Sequence, residues 1–177
     1  PAPGVHGLGT SMYFKGVAGN GTAGSHVSLP YFNFNSYNNF TISLWVKEQN
    51  LSNSGGEAYI AYGDCNQSFL GILNHILEPQ TDNVIYTQYT VGSNFWTTSN
   101  VHQQFNLNDR NRWVFYAIVY SNGTFYAYKD SVLIGSMQQA VNIVGTYGGL
   151  AEHWWDGSST STRFTGYIDE VRIYNRA

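Results

Sequence analysis

Phe164-Thr-Gly-Tyr-Ile-Asp-Glu-Val-Arg-Ile-Tyr-Asn-Arg-Ala177 is the stretch from which the fold can be read. β-Branched and aromatic residues recur along it without a helical period, which predicts one long strand. Phe164, Gly166 and Ile168 share a face, whereas Val171 and Ile173 have the opposite parity. For Ile168, Val171 and Ile173 all to reach a core, one extra residue must be absorbed at Asp169-Glu170. A β-bulge does this, and it turns the two carboxylates toward an edge or a loop.

Working outward, Phe40-Thr-Ile-Ser-Leu-Trp-Val46 alternates cleanly. It predicts a strand with Phe40, Ile42, Leu44 and Val46 in the core and Trp45 on the other face, covered by a loop or open to ligand. Trp113–Tyr120 and Thr124–Lys129 read as a hairpin joined at Asn122-Gly123, a pair that favours the positive-φ turn matching strand twist. Further short strands are expected at 11–15, 26–29, 58–62, 69–73, 84–89 and 132–137. With no useful helical period anywhere, many short strands predict an all-β, two-sheet antiparallel sandwich. One segment, 146–163, shows no alternation, and structureless stretches of that length are uncommon and usually functional.

Composition narrows the function. Charged residues make up 11% of the 177 positions and aromatics 16%, so the polar surface is built from Asn, Gln, Ser, Thr and Tyr. That surface suits hydroxyl-rich ligands in an extracellular setting. A net charge of -3 without a Lys/Arg cluster argues against nucleic acid. No apolar run approaches ~20 residues, so no membrane insertion is expected. Cys65 has no partner within the chain and is read as a buried thiol or a link to another chain. The Pro-Ala-Pro-Gly start and the Arg-Ala end read as cut from a larger polypeptide. The expectation is thus a single domain over 1–177 with covalently linked neighbouring domains.

These motifs together resemble the laminin-G-like, concanavalin-A-like jelly-roll domains. Ser11-Met-Tyr-Phe-Lys-Gly16 is similar to the family's opening strand and turn, and His26-Val-Ser-Leu-Pro30 to its second strand. Phe40–Lys47 resembles its most recognisable internal strand, Asn111–Ala117 with Tyr126–Asp130 its central hairpin, and 164–177 its closing strand. The resemblance covers essentially the whole chain and implies a jelly-roll sandwich. It leaves the ligand open, since the fold hosts lectins, binding modules, adhesion domains and glycoside-cleaving enzymes.

Catalysis finds little support. Glycosidases need two carboxylates flanking a bond, and the related glucanases carry them on a Glu-x-Asp-x-Glu strand. Asp169-Glu170 are adjacent and lack a flanking acid. Tyr13-Phe-Lys-Gly16 resembles an alginate-lyase motif whose Gln-x-His and Arg-x-Glu companions are missing. Jelly rolls of this kind often carry a structural calcium, and Asp169, Glu170 and Asn20 are its candidate ligands, because calcium takes six to eight oxygens. The other reading pairs Glu170 with Arg172 or Arg176. Trp154-Trp155 is the sharpest binding signal: sugar C–H faces pack on aromatic rings, although the same pair could close one end of the sandwich. His153, Asp156, Tyr147, Arg163, Asp64 and Asn66 are candidates to orient hydroxyls, and Trp96 is a lesser platform. The expected function is a non-catalytic carbohydrate-binding, lectin-like module of a secreted or cell-surface protein, its partner a glycan or polysaccharide. The alternatives are an adhesion module with a protein partner, or a hydrolase or lyase.

Overall fold

The computed structural model describes residues 2–7, 9–17, 24–50, 57–64, 67–76, 85–93, 101–104, 107–155, 159–161 and 164–177. Its strands are β1 (Ala2–Pro3), β2 (Thr10–Phe14), β3 (Val27–Ser28), β4 (Asn39–Asn50), β5 (Glu57–Asp64), β6 (Ser68–Ile76), β7 (Ile85–Ser93) and β8 (Val101–Gln104). They continue as β9 (Val114–Ser121), β10 (Thr124–Lys129), β11 (Val132–Gln138), β12 (Gly148–Leu150), β13 (His153–Trp155), β14 (Ser159–Ser161) and β15 (Thr165–Tyr174). Two short 3-10 turns, Phe34–Ser36 and Leu107–Asp109, are the helical elements among the described residues.

Two sheets form the sandwich. The first runs β1-β2-β15-β4-β9-β10-β11, and the second runs β14-β13-β5-β6-β7-β8 with β12 bridging β5 to β3. Pairing is antiparallel except where β13 lies parallel to β5 at Trp154↔Asp64. The alternation of β4 is realised as read: Phe40, Ile42, Leu44 and Val46 are all 1% exposed or less. Facing strands add Tyr116 and Ile118 from β9, Tyr59 from β5, Leu70 and Ile72 from β6 and Tyr89 from β7, all in one apolar cluster. Edge-to-face ring contacts, such as Tyr59 on Phe164 at 5.3 Å and Phe34 on Phe40 at 4.9 Å, tie the layers together.

The closing strand behaves as its parity requires. Asp169 pairs with Trp45 and Arg172 with Ser43, so three steps along β15 match two along β4. The extra residue is a bulge with Glu170 at φ 48°. Ile168 is fully buried, and Val171 and Ile173 pack against the core. Gly166 is held by close approach: a Cβ there would stand 2.4 Å from the Lys47 carbonyl oxygen. Both tight hairpins use paired positive φ, Asn122-Gly123 at 47° and 84° and Asp130-Ser131 at 48° and 66°.

Two expectations change. Segment 146–163 is not structureless: it supplies β12, β13 and β14. Gly148, Gly149 and Leu150 are all buried, so no polar alternation betrays them. The strand at 101–104 was also not anticipated.

The two outer faces differ. On β6, Phe69 and Leu73 alternate with the inward Leu70 and Ile72, yet both are fully buried in a second cluster with Ala58 and Ala61. The outer face of the second sheet is therefore covered at this position. The first sheet keeps Tyr13 at 47% exposure on its outer face.

Candidate functional site

Register builds a row of side chains across the outer face of the first sheet. Tyr167 of β15 stands opposite Tyr13 of β2 on one side and Lys47 of β4 on the other. The β4–β9 ladder ends at Val46↔Val114, which brings Trp113 opposite Lys47 in the same antiparallel register. Directly opposite residues share a face, and the rings meet accordingly. Tyr13 and Tyr167 have centroids 5.0 Å apart at 47°, and Trp113 and Tyr167 lie 6.5 Å apart at 57°.

The neighbouring row is closed. Asp169, Trp45 and Phe115 follow each other across the same strands. Residues 4–7 lie over them: the Val5 amide donates to Asp169 Oδ2 at 2.9 Å, and the His6 ring meets Trp45 edge-on at 5.7 Å. Trp45 is thus covered by the N-terminal strap. Where the strap leaves the sheet, Pro3 and Gly4 form one wall of a groove of about 240 Å3, lined further by Lys47, Gln49, Trp113 and Tyr167. Among the described residues that lining contains two large rings, an ammonium and an amide, and no carboxylate.

The Trp113 side of the groove is braced from below. Asp109, 3% exposed, takes ion pairs from both Lys129 and Arg112. Arg112 also reaches Asp130 at 2.7 Å and donates from Nη1 to the Trp113 carbonyl at 3.1 Å. Burial pulls the Arg112 pKa down, but hydrogen bonds to Asp130 and Asp109 outweigh it and hold the group above its ordinary value. The Asn111 amide donates to the Glu48 carbonyl at 2.8 Å. A platform whose backbone is fixed this way loses little freedom when a ligand stacks on it.

The residues singled out from sequence fare differently. Tyr147 accepts the Gly63 amide through its carbonyl at 2.9 Å, and its side chain lines a cleft with Tyr31, Phe34 and Tyr62. That cleft holds about 10 Å3, room for about one water and not for a sugar. Asp64, expected to face ligand, is 3% exposed and accepts Gln67 Nε2 at 2.9 Å. It is a turn-forming residue, because its own carbonyl also takes the Gln67 amide. His153, Trp154 and Trp155 form β13, whose backbone is described and whose side chains are not. Asn66, Trp96, Asp156, Arg163 and Asn20 lie outside the described residues, as does Cys65.

At the bulge, both oxygens of Asp169 accept backbone amides, Val5 on Oδ2 and Glu170 on Oδ1, each at 2.9 Å. Glu170 pairs with Arg172 at 2.7 Å. Among the described residues no group of three or more His, Cys, Asp or Glu side chains is arranged to hold a metal. The Glu170–Arg172 ion pair is the other reading offered for these residues, and Asn20, the remaining expected calcium ligand, lies outside the described residues.

Sequence reasoning missed the row because its four members come from distant segments and meet only through strand register. It also passed over Glu152, buried to 1% in the turn between β12 and β13. Its side chain folds back over Gly149, where a Cβ would stand 2.3 Å from Oε1. Oε2 lies 3.7 Å from His26 Nε2, and Oε1 has no hydrogen-bond partner among the described residues.

Residues 20–177 match the family model described as the concanavalin A-like lectin/glucanases superfamily. Compared with curated proteins, the sequence matches none. Among solved structures, the chain is similar to domain 4 of AbnA, an extracellular arabinanase of Geobacillus stearothermophilus in complex with arabinotriose. The TM-score is 0.57 at 20% identity, over 94% of this chain and 76% of that one. A second similar structure is the CBM40 of the Ruminococcus gnavus IT-sialidase bound to α2,3 sialyllactose, with TM-score 0.57, 12% identity and coverages of 95% and 92%. A third is the binding domain of botulinum neurotoxin DC in complex with SialylT, with TM-score 0.60, 16% identity and coverages of 95% and 41%. At these identities the likeness is one of fold.

Proposed function

The chain belongs to the concanavalin A-like lectin/glucanases superfamily, and we propose that it acts as a non-catalytic, carbohydrate-binding module of a secreted or cell-surface protein, its site the groove on the outer face of the first sheet. One observation carries the reading: the Tyr13–Tyr167–Lys47–Trp113 row, with its rings in contact and a groove of about 240 Å3 beside it. That volume falls just below the ~300–1,000 Å3 of enclosed small-molecule pockets. It suits an open platform on which one or two sugar rings of a longer chain lie. Flat aromatic faces receive sugar C–H groups, while Lys47 and Gln49 are placed to meet hydroxyls.

Among the described residues the lining carries rings, an ammonium and an amide, a set suited to binding, whereas hydrolysis needs an acid pair. Similar folds in glycan-binding domains of larger proteins support the same reading, as does the extracellular arabinanase for its location. Segment 146–163 is proposed as a second arm of recognition, with Trp154 or Trp155 as a stacking ring and His153, Asp156, Arg163 and Asn66 as polar contacts.

A glycan array followed by titration calorimetry on the best ligand tests this. Trp113→Ala and Tyr167→Ala should each lose about 1–3 kcal/mol of affinity, by analogy with base–aromatic stacking, while the far-ultraviolet spectrum stays unchanged. Trp154→Ala and Trp155→Ala measure the second arm separately. If both groove variants bind as the parent does, the site is not in the groove.

A further inference from the structure

Resting on the reading of the groove as a glycan platform, we propose that its ligand is an acidic glycan, with a sugar carboxylate received by the Lys47 ammonium. Lys47 is half-buried in the middle of the row, with Tyr167 on one flank and Trp113 on the other. Among the described residues it has no carboxylate within ion-pair distance. Lys129 and Arg112 are held by Asp109, and Arg172 by Glu170. Arg176 lies over the Tyr174 ring at 5.4 Å. Among the described residues Lys15 and Arg110 also lack such a partner, but both are exposed. Among the described residues Lys47 is therefore an unmatched cation set into a partly desolvated aromatic groove.

That placement selects for anions. A cation drawn partly out of water among rings loses hydration that a neutral hydroxyl replaces weakly and a carboxylate replaces well. Among the described residues no acid lines the groove to repel an incoming negative charge. Asp169, in the next row, lies beneath the strap with both oxygens accepting backbone amides. Neighbouring strands lie about 4.8 Å apart, so a sugar ring stacked on Tyr167 or Trp113 brings an equatorial carboxylate over Lys47. Gln49, at the same end of β4, offers an amide to the adjoining hydroxyls.

The test uses immobilised polygalacturonate, alginate and hyaluronan, each beside its carboxyl-reduced form, which keeps the linkage and removes the charge. The parent should retain at least one acidic polymer about tenfold more tightly than its reduced form, with binding that weakens as salt rises. Lys47→Gln should lose that preference and its salt dependence while still holding the neutral form, and Trp113→Ala should lose both forms. Equal or better binding of reduced polymers by the parent, or a preference that survives Lys47→Gln, overturns the acidic ligand and leaves the glycan platform standing. Failure to bind any polymer, acidic or neutral, here and on the array overturns the platform itself. Release of an unsaturated uronate, seen by its ultraviolet absorbance, overturns the non-catalytic reading.

Discussion

Glu152 shows how a single side chain can set a pH response. Burial raises its pKa above the ordinary value of 4.5, and the nearby His26 and a hydrogen bond from Ser28 pull the other way without cancelling the effect. The folded state therefore holds the proton more tightly than the unfolded chain. For an acid shifted in this direction, the stabilising contribution is complete below the unfolded value and is lost as pH rises through the folded one. The charged form then sits buried at 1% exposure, with Oε1 unpaired among the described residues and the His26 ring 3.7 Å from Oε2. Glu152→Gln keeps the shape and stays neutral. Denaturant melts of parent and variant across pH 4 to 8 should give similar stability at the acid end, with the variant gaining on the parent as pH rises. A constant difference over that range would mean that Glu152 titrates normally.

At the scale of elements, the bulge in β15 was legible and its use was not. Parity alone demanded one extra residue between Ile168 and Val171, and the bulge falls there with Glu170 at positive φ. Which partners the two carboxylates take depends on where the strap and Arg172 lie, and no local pattern encodes that. Since Asp169 accepts two amides and Glu170 pairs with Arg172, thermal melts in excess EDTA and in millimolar calcium are expected to coincide. A melting temperature that climbs with calcium, as binding to the folded state alone requires, would show that ligands outside the described residues, Asn20 among them, complete a site. Segment 146–163 illustrates the reverse difficulty. Its three short strands carry no alternation, because β12 is buried on both sides and β13 leaves the antiparallel pattern to run parallel with β5.

Across the whole molecule, the core was readable because β4 and β15 alternate, whereas the groove was not, because it exists only in the assembled sheet. Tyr13, Lys47, Trp113 and Tyr167 are separated by long stretches of sequence, and each alone looks like an ordinary outward strand residue. Core and groove nonetheless occupy opposite faces of the same strands, which makes their separation measurable. Leu44 is fully buried beneath the sheet, so Leu44→Ala should cost about 2–5 kcal/mol of stability. Each kcal/mol lowers the melting temperature of a domain this size by about 2–4 °C. Assayed below its melting point, that variant should bind glycan as the parent does, while Trp113→Ala should melt close to the parent and bind weakly. Because Leu44 faces the core and Trp113 the outer groove, the double variant should show both losses, additive within about 0.5 kcal/mol. If Leu44→Ala, still folded, loses as much affinity as Trp113→Ala, then the ring positions depend on core packing, and the groove is not a platform laid independently on the outside of the sheet.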